Sequence, residues 1–333
     1  MAAPLMHPDS PPPPPSMAEL QEYLRRRVSP GESYLDLLRF PRYLEIETVN
    51  HCNARCPMCT IDAWERKAGV MKDVVFEKIA SELVEAARTE RIIRVSLFRD
   101  GEPLLDKKLA QRVHRLKSGG IPHVSTTTNA SLLNEKRARD LLEAGLDSLF
   151  VSMDSLHKEV YESIRVKLVF EEVRDNILRF IDLRDRLRPE TKISIRMTRQ
   201  EANQAEWPAF QDFWRSRLQA TDRVYYHDIH NWGGQADKVP LIAESHPSYM
   251  PCVSLWSLCI IFANGDLPMC SVDYNGRFKN GNVLQNSIRE LWHSAQMERW
   301  RAWHLANQQG QQIGLCRTCN AWEMPSDYAI TPV

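Results

Sequence analysis

The chain has 333 residues, 43% hydrophobic and 26% charged, a make-up ordinary for a globular protein large enough for one large domain and a smaller one. Its 43 Lys and Arg balance 43 Asp and Glu, which gives no electrostatic footprint for nucleic acid or an anionic membrane as partner. No apolar run approaches the roughly 20 residues of a membrane span, and the opening MAAPLMHPDSPPPPPS lacks the apolar core of a signal peptide, so a cytoplasmic location is expected.

Residues 1–16 are Pro-rich and expected to form a disordered tail, with a helical lead-in over 17–40 whose first helix covers 17–28. From residue 43 strand and helix patterns alternate. Residues 43–49 read as strand, and in 74–88 Phe76, Ile79, Leu83 and Ala87 recur at helical spacing. A strand at 92–98 precedes a helix at 109–117 closed by Gly119-Gly120. Strands at 123–127, 148–152, 192–197 and 224–228 then interleave with helices at 134–144, 170–187 and 207–218. Such repetition builds a parallel sheet with helices outside, and ligands gather at the carboxyl ends of its strands. Six units are too few to close an eight-fold barrel. The expected fold class is therefore α/β, an open (β/α)6 partial barrel over 41–235 followed by a small cysteine-rich domain over 236–333.

In a reducing compartment, clustered cysteines serve as metal ligands or catalytic groups more often than as disulfides. Cys52, Cys56 and Cys59 sit early, Cys252, Cys259, Cys270, Cys316 and Cys319 late, and no cysteine lies between the groups, which points to two sites. Residues 52–59 read CNARCPMC, a C-x3-C-x2-C spacing directly after the first strand. Three thiolates on one loop can hold three irons of a cubane cluster and leave the fourth open, the kind of position that catalysis requires. Three of the four ligands of a zinc ion are the alternative.

In this setting the motif resembles that of the radical SAM superfamily, and further short motifs follow in the family's order. Asp100-Gly101-Glu102-Pro103, after the second strand, resembles the GGEP motif whose backbone and acid receive the amino group of S-adenosyl-L-methionine (SAM), with Asp100 in place of the first glycine. Thr128-Asn129-Ala130 resembles the TNG that follows, and Val151-Ser152-Met153-Asp154 the segment whose Ser and Asp line the SAM site. Arg165 matches a later Ile-Arg, read as structural. The resemblance implies a [4Fe-4S] cluster on Cys52, Cys56 and Cys59, with SAM against Gly101, Glu102, Pro103, Asn129, Ser152 and Asp154. It also implies cleavage of SAM to a 5′-deoxyadenosyl radical that abstracts hydrogen from substrate, driven by an electron donor such as flavodoxin or ferredoxin.

The late group, Cys252, Gly265, Cys270 and Cys316-x2-Cys319, resembles the C-terminal extension called twitch or, in fuller form, SPASM. The text between includes a hairpin-like IIFANGDLPMC, with Asn264-Gly265 as a two-residue turn. Full SPASM extensions have seven or more cysteines. Five here imply one auxiliary [4Fe-4S] cluster on Cys252, Cys270, Cys316 and Cys319, with a structural zinc on the same four as alternative. Cys259 is left over in an apolar run: a buried hydrophobe, a catalytic hydrogen-atom donor, or a ligand in place of Cys252. Arg196, on the polar side of strand five, is the other catalytic candidate, facing either the cavity or the surface. His227, His230, Asn231 and Trp232 end strand six, where a ligand would lie. Trp292, Trp300 and Trp303 fall at helical spacing and read as packing. The compact single-cluster form resembles carbohydrate- and aminocyclitol-modifying enzymes of antibiotic pathways. The resulting expectation is oxidation of an alcohol carbon of a small sugar or aminocyclitol. Dehydration, decarboxylation or epimerisation, peptide modification, and a non-enzymatic metal-binding protein are the alternatives.

Overall fold

A computed structural model describes residues 15–229, 231–235 and 250–319. The expected tail up to residue 14, His230 and the segments 236–249 and 320–333 lie outside the described residues. Helix α1 (Met17–Val28) opens on a capping box in which Ser16 and Glu19 satisfy each other's backbone N–H. It buries Leu20, Leu24 and Val28, one turn apart. A second box, Ser33 with Asp36, starts α2 (Tyr34–Arg39), a helix too short to register as a periodic pattern.

Six parallel strands follow in chain order: β1 (Tyr43–Ile46), β2 (Arg94–Ser96), β3 (Val124–Thr128), β4 (Ser148–Ser152), β5 (Lys192–Arg199) and β6 (Arg223–Asp228). Between them run α3 (Asp73–Ala86), α4 (Leu109–Ser118), α5 (Glu135–Glu143), α6 (Lys158–Ile164), α7 (Phe170–Leu187) and α8 (Trp207–Arg215). The short α6 has no counterpart in the sequence reading. Strand β5 shows how the layers divide. Ile193, Ile195 and Met197 are fully buried, while Arg196 and Thr198 of the alternate set line a cavity. Each fully buried aliphatic or aromatic side chain, such as Val173, Ile177 and Phe180 of α7, contributes about 1.5–3 kcal/mol.

The sheet has seven strands rather than the expected six. Its order is β6-β5-β4-β3-β2-β1-β7, and β7 (Leu258–Ile261) comes from the cysteine-rich segment. It runs parallel to β1 with Tyr43 opposite Leu258 and Ile46 opposite Ile261. Arg42 N–H donates to the Ser257 carbonyl and Glu47 N–H to that of Ile261, prolonging the ladder at both ends. After β7 the chain reverses. Gly265 N–H donates to the Phe262 carbonyl at 2.8 Å, and Phe262 N–H to that of Asp266 at 2.9 Å, with Gly265 at φ +90. This is the three-residue turn with a left-handed glycine, not the two-residue form expected. Strand β8 (Asp266–Pro268) then pairs antiparallel with β9 (Lys279–Asn282). Helices α9 (Ser254–Ser257), α10 (Ile288–Trp292), α11 (Ala295–Leu305) and α12 (Gln309–Gln312) complete the described chain. Trp292 and Trp300 are buried and Trp303 packs against the core, as their spacing predicts.

One buried ion pair fastens the far edge of the sheet. Arg184 of α7 meets Asp222, just before β6, through two hydrogen bonds of 2.9 and 2.6 Å, and both side chains are fully buried. Asp222 also accepts from the Ile193 backbone at 2.7 Å. We expect Asp222→Ala to destabilise the protein by about 3 kcal/mol, because it removes the fully buried carboxylate from the guanidinium and leaves only the more exposed Asp185, 2.6 Å from Nε, as counter-charge. Urea unfolding measures the loss, and a change within about 0.5 kcal/mol would contradict it.

Candidate active site and second cysteine site

The loop that follows β1 brings Cys52, Cys56 and Cys59 to the carboxyl ends of the strands. They line a cavity of about 1000 Å³, its open mouth included, together with Gly101, Glu102, Asn129, Ser152 and Arg196. Cys59 N–H donates to the Cys56 carbonyl at 2.9 Å, and Arg55 N–H to that of Val166 at 2.9 Å, fixing the loop's shape. Three donors point at sulfur: Ala54 N–H at 3.4 Å and Asn129 Nδ2 at 3.7 Å from Cys52, and Arg165 Nη1 at 3.6 Å from Cys56. Arg165 is itself paired with Asp154 at 2.5 Å. Burial raises the Cys52 thiol and pushes Cys59 up to about 12, so a cationic centre is needed to hold them as thiolates. Donors aimed at sulfur and room beside three thiols are what an iron–sulfur cluster requires, and the residues fit one.

The motif after β2 is shaped by close approach. A Cβ on Gly101 would stand 2.3 Å from the Val49 carbonyl oxygen and 2.7 Å from that of His51, both backbone atoms, so only glycine fits. Glu102 N–H donates to the His51 carbonyl at 2.9 Å. Its buried carboxylate accepts from Leu104 N–H (3.0 Å), Thr128 Oγ1 (2.7 Å) and Asn129 N–H (2.8 Å). These bonds use three of its about four lone-pair positions and tie the loops after β2 and β3 together. Burial raises this carboxyl against those hydrogen bonds. Pro103 and Asp154, implied as SAM contacts, do not line the cavity. Pro103 opens the short turn behind Glu102, and Asp154 is fully buried, holding Arg165 and the Thr198 N–H. Arg196 does face the cavity. Its Nη2 donates to Ser152 Oγ at 2.9 Å, and its buried Nε has no hydrogen-bond partner. His227 and Trp232 line the same space, and Thr198 Oγ1 stands 3.5 Å from His227 Nε2.

A charge cluster that no motif announces lies beside this cavity. Arg66 binds Glu47, at the end of β1, through two hydrogen bonds of 2.6 Å, and stands 3.4 Å from Asp100. Its Nε donates to the Tyr274 carbonyl at 2.6 Å, and its guanidinium lies 3.7 Å from the Phe262 ring centroid. Asp100, the departure from the family's glycine, is a member of this cluster. The signal available in the sequence was an acid at a strand end, Glu47, with no partner nearby in the chain.

Cys252, Cys270, Cys316 and Cys319 line a second cavity of about 630 Å³, open mouth included, with Met269, Ser271 and His304. Among the described residues no group of three or more Cys, His, Asp or Glu gathers tightly enough for a single metal ion. The four thiols line one space, and four cysteines are the ligand set of a [4Fe-4S] cluster. Burial and the neighbouring thiols raise Cys270 well above the ordinary thiol range. Cys259 departs from two of its three expectations. It lies opposite Leu44 on β7, buried in the core, and lines neither cavity, so it is placed neither to donate hydrogen to a substrate nor to join the ligands. An apolar surround pushes its thiol up to about 12.

The two cavities share a wall. Arg99 lines the first and donates to Glu45 at 3.0 Å and to the carbonyl of Ser271, which lines the second. Trp232 Nε1 donates to the Met58 carbonyl inside the first cysteine loop at 3.2 Å. The next residue, Gly233 at φ +68, sits so close to Leu315 that a Cβ would lie 2.6 Å from its Cδ1.

Comparison with known proteins accords with this geometry. Residues 46–195 match the radical SAM superfamily and residues 252–320 the SPASM iron–sulfur cluster-binding domain. The S-adenosyl-L-methionine-dependent 2-deoxy-scyllo-inosamine dehydrogenase of Niallia circulans is 22% identical over 280 residues, 83% of this chain and 92% of that protein. The probable GTP 3′,8-cyclase of Methanothermobacter thermautotrophicus is 33% identical over 143 residues, 42% of this chain, and the match spans only 44% of that protein. The structure of BtrN in complex with AdoMet and 2-DOIA aligns with a TM-score of 0.57 at 22% identity, covering 84% of this chain and 93% of that one. SuiB of Streptococcus suis, bound to its precursor peptide SuiA, aligns at 0.66 and 15%, covering 91% and 74%. These structural likenesses establish the fold.

The position of Glu102 sets an expectation for stability. Glu102→Ala strips the buried Asn129 N–H of its acceptor and should cost about 1–3 kcal/mol in urea unfolding without any ligand present. An unchanged midpoint would mean that the carboxylate acts on ligand alone.

Proposed function

Taking the chain as what its domains make it, a radical SAM enzyme with a SPASM domain, we propose that it oxidises a secondary alcohol of an aminocyclitol or similar sugar. The observation that carries this reading is the wall between the two cysteine-lined cavities, where Arg99 of the first donates to the carbonyl of Ser271 in the second. Dehydrogenation of an alcohol removes two electrons, and abstraction of a hydrogen atom removes one, so an acceptor for the second must lie close to the substrate. When bound, SAM and the first cluster supply the radical that takes the hydrogen atom, and the auxiliary cluster supplies the acceptor.

Each group in the chain has a task in this scheme. Cys52, Cys56 and Cys59 hold the SAM-binding cluster, and Cys252, Cys270, Cys316 and Cys319 the auxiliary one. Gly101 lets the backbone crowd the cavity floor, while Glu102 and Asn129 fix the shape of the SAM side. Ser152 and Arg196 present a hydroxyl and guanidinium N–H groups to the interior, donors that can orient a polyhydroxylated ring. Trp64 and Trp232 add apolar surface that excludes water. A flavodoxin or ferredoxin is the reductant proposed. The dehydrogenase of Niallia circulans, alike over most of both chains, supports an aminocyclitol substrate.

Two outcomes check this reading. Anaerobic incubation with SAM, reductant and 2-deoxy-scyllo-inosamine or related aminocyclitols should give a product lighter by two hydrogens. Loss of water instead would make the enzyme a lyase, and deuterium uptake from heavy water without loss of mass an epimerase. Separately, replacing Cys52, Cys56 and Cys59 together by Ala should lower iron from about eight to about four per chain and abolish 5′-deoxyadenosine formation. Continued formation of that product would show that the first site has been misassigned.

A further inference from the structure

His304 lies in the second cavity, and nothing so far gives it a task. It is buried near the end of α11, with its ring between two of the four cysteines. On one side the Cys252 backbone N–H stands 3.3 Å from Nδ1. On the other, Cys316 Sγ lies 3.8 Å from Nε2, within reach of a hydrogen bond to sulfur. A backbone N–H can only donate, so Nδ1 must accept and carries no proton. The proton of the neutral imidazole therefore sits on Nε2, the nitrogen that faces Cys316.

From this geometry we propose that His304 donates a hydrogen bond to the Cys316 sulfur and thereby raises the reduction potential of the auxiliary cluster. The inference rests on the reading that Cys252, Cys270, Cys316 and Cys319 hold that cluster. Reduction adds negative charge to the iron–sulfur core and its thiolates. A donor fixed against one of those sulfurs stabilises the reduced form more than the oxidised form, which moves the potential upward. A group meant to take an electron from substrate gains driving force from that shift. The tautomer also tells against His304 as a ligand. With Nδ1 accepting, Nε2 would have to lose its proton to offer a lone pair to iron, leaving an imidazolate.

The surroundings hold the ring in place. Arg301, one turn earlier on α11, donates to the Leu255 carbonyl at 2.9 Å and to that of Trp292 at 3.0 Å. The segment after Cys252 is thus fastened to the helix face that carries His304, and the ring meets Cys252 and Cys316 from a rigid element. His304 is a positioning residue that acts through Cys316, not a group in contact with substrate.

The test uses the full chain with Cys52, Cys56 and Cys59 replaced by Ala, loaded anaerobically so that only the auxiliary cluster is present. Iron should be about four per chain. If no iron binds, the auxiliary-cluster reading fails and takes this inference with it. With iron bound, a redox titration followed by electron paramagnetic resonance should give a lower midpoint for His304→Phe than for His304 protein. An equal or higher midpoint overturns the proposal while leaving the cluster reading intact. Because Phe could also unseat the Cys252 segment, a second measurement keeps histidine in place. Protein grown on 15N-histidine should show a weak nitrogen coupling to the reduced cluster. Coupling as strong as that of directly bound nitrogen, or none at all, overturns the donor role.

Discussion

Four parts of the chain meet at one guanidinium. Arg66 joins Glu47 at the end of β1, Asp100 in the loop after β2, the ring of Phe262 and the carbonyl of Tyr274 in the cysteine-rich segment. A buried charge is tolerated only when it is paired and its protons are satisfied, so each of these partners depends on the others. Glu47 is wholly inaccessible and also accepts from the Ala263 N–H at 2.9 Å. The wall of the first cavity is attached to this cluster: the first cysteine loop lies between Glu47 and Arg66, and Gly101 is the neighbour of Asp100. Arg99 extends the network, pairing with Asp100 at 3.5 Å and with Glu45 at 3.0 Å. The arrangement explains why an aspartate can stand where the family motif has glycine, since its side chain turns toward Arg66 and Arg99.

The space beside this cluster exists because of what the strands put inside. Closed eight-stranded barrels fill their centres with layers of branched aliphatic side chains. Here the aliphatic side chains of β5 serve the core, and small or polar groups face the middle: Thr127 and Thr128 of β3, Ser152 of β4, Thr198 of β5. Glu102 then turns a set of strand ends into a fitted surface. By accepting from Thr128 and Asn129 it makes the loops after β2 and β3 one rigid piece.

Much of this was legible in the sequence, and the parts that were not share a cause. Alternating patterns placed the first six strands, and spacing alone separated the two cysteine groups, because both signals are local. The helices α2 and α6 escaped since each offers too few turns for a periodic stripe. Strand β7 was read as part of a separate hairpin, for its partner β1 lies over two hundred residues away and parallel pairing leaves no turn signature. The same distance hid Arg66, whose partners are spread from Glu47 to Tyr274. Cys259 shows the opposite problem. A cysteine beside a cysteine-rich motif invites a chemical role, but the alternation of β7 turns its side chain into the core, away from both cavities.

Strand β7 has a consequence for how the molecule can come apart. The cysteine-rich segment contributes one strand of the main sheet, so cutting the chain between the two regions would not release two finished bodies. It would strip β1 of a neighbour and bare its unpaired N–H and C=O groups along an apolar edge, the kind of surface that draws other chains into aggregates. Folding of the sheet and closure of the second cysteine site are therefore parts of one cooperative event. A newly made chain must keep the edge of β1 shielded until residue 261 has left the ribosome, which makes the interval before β7 docks its most vulnerable moment.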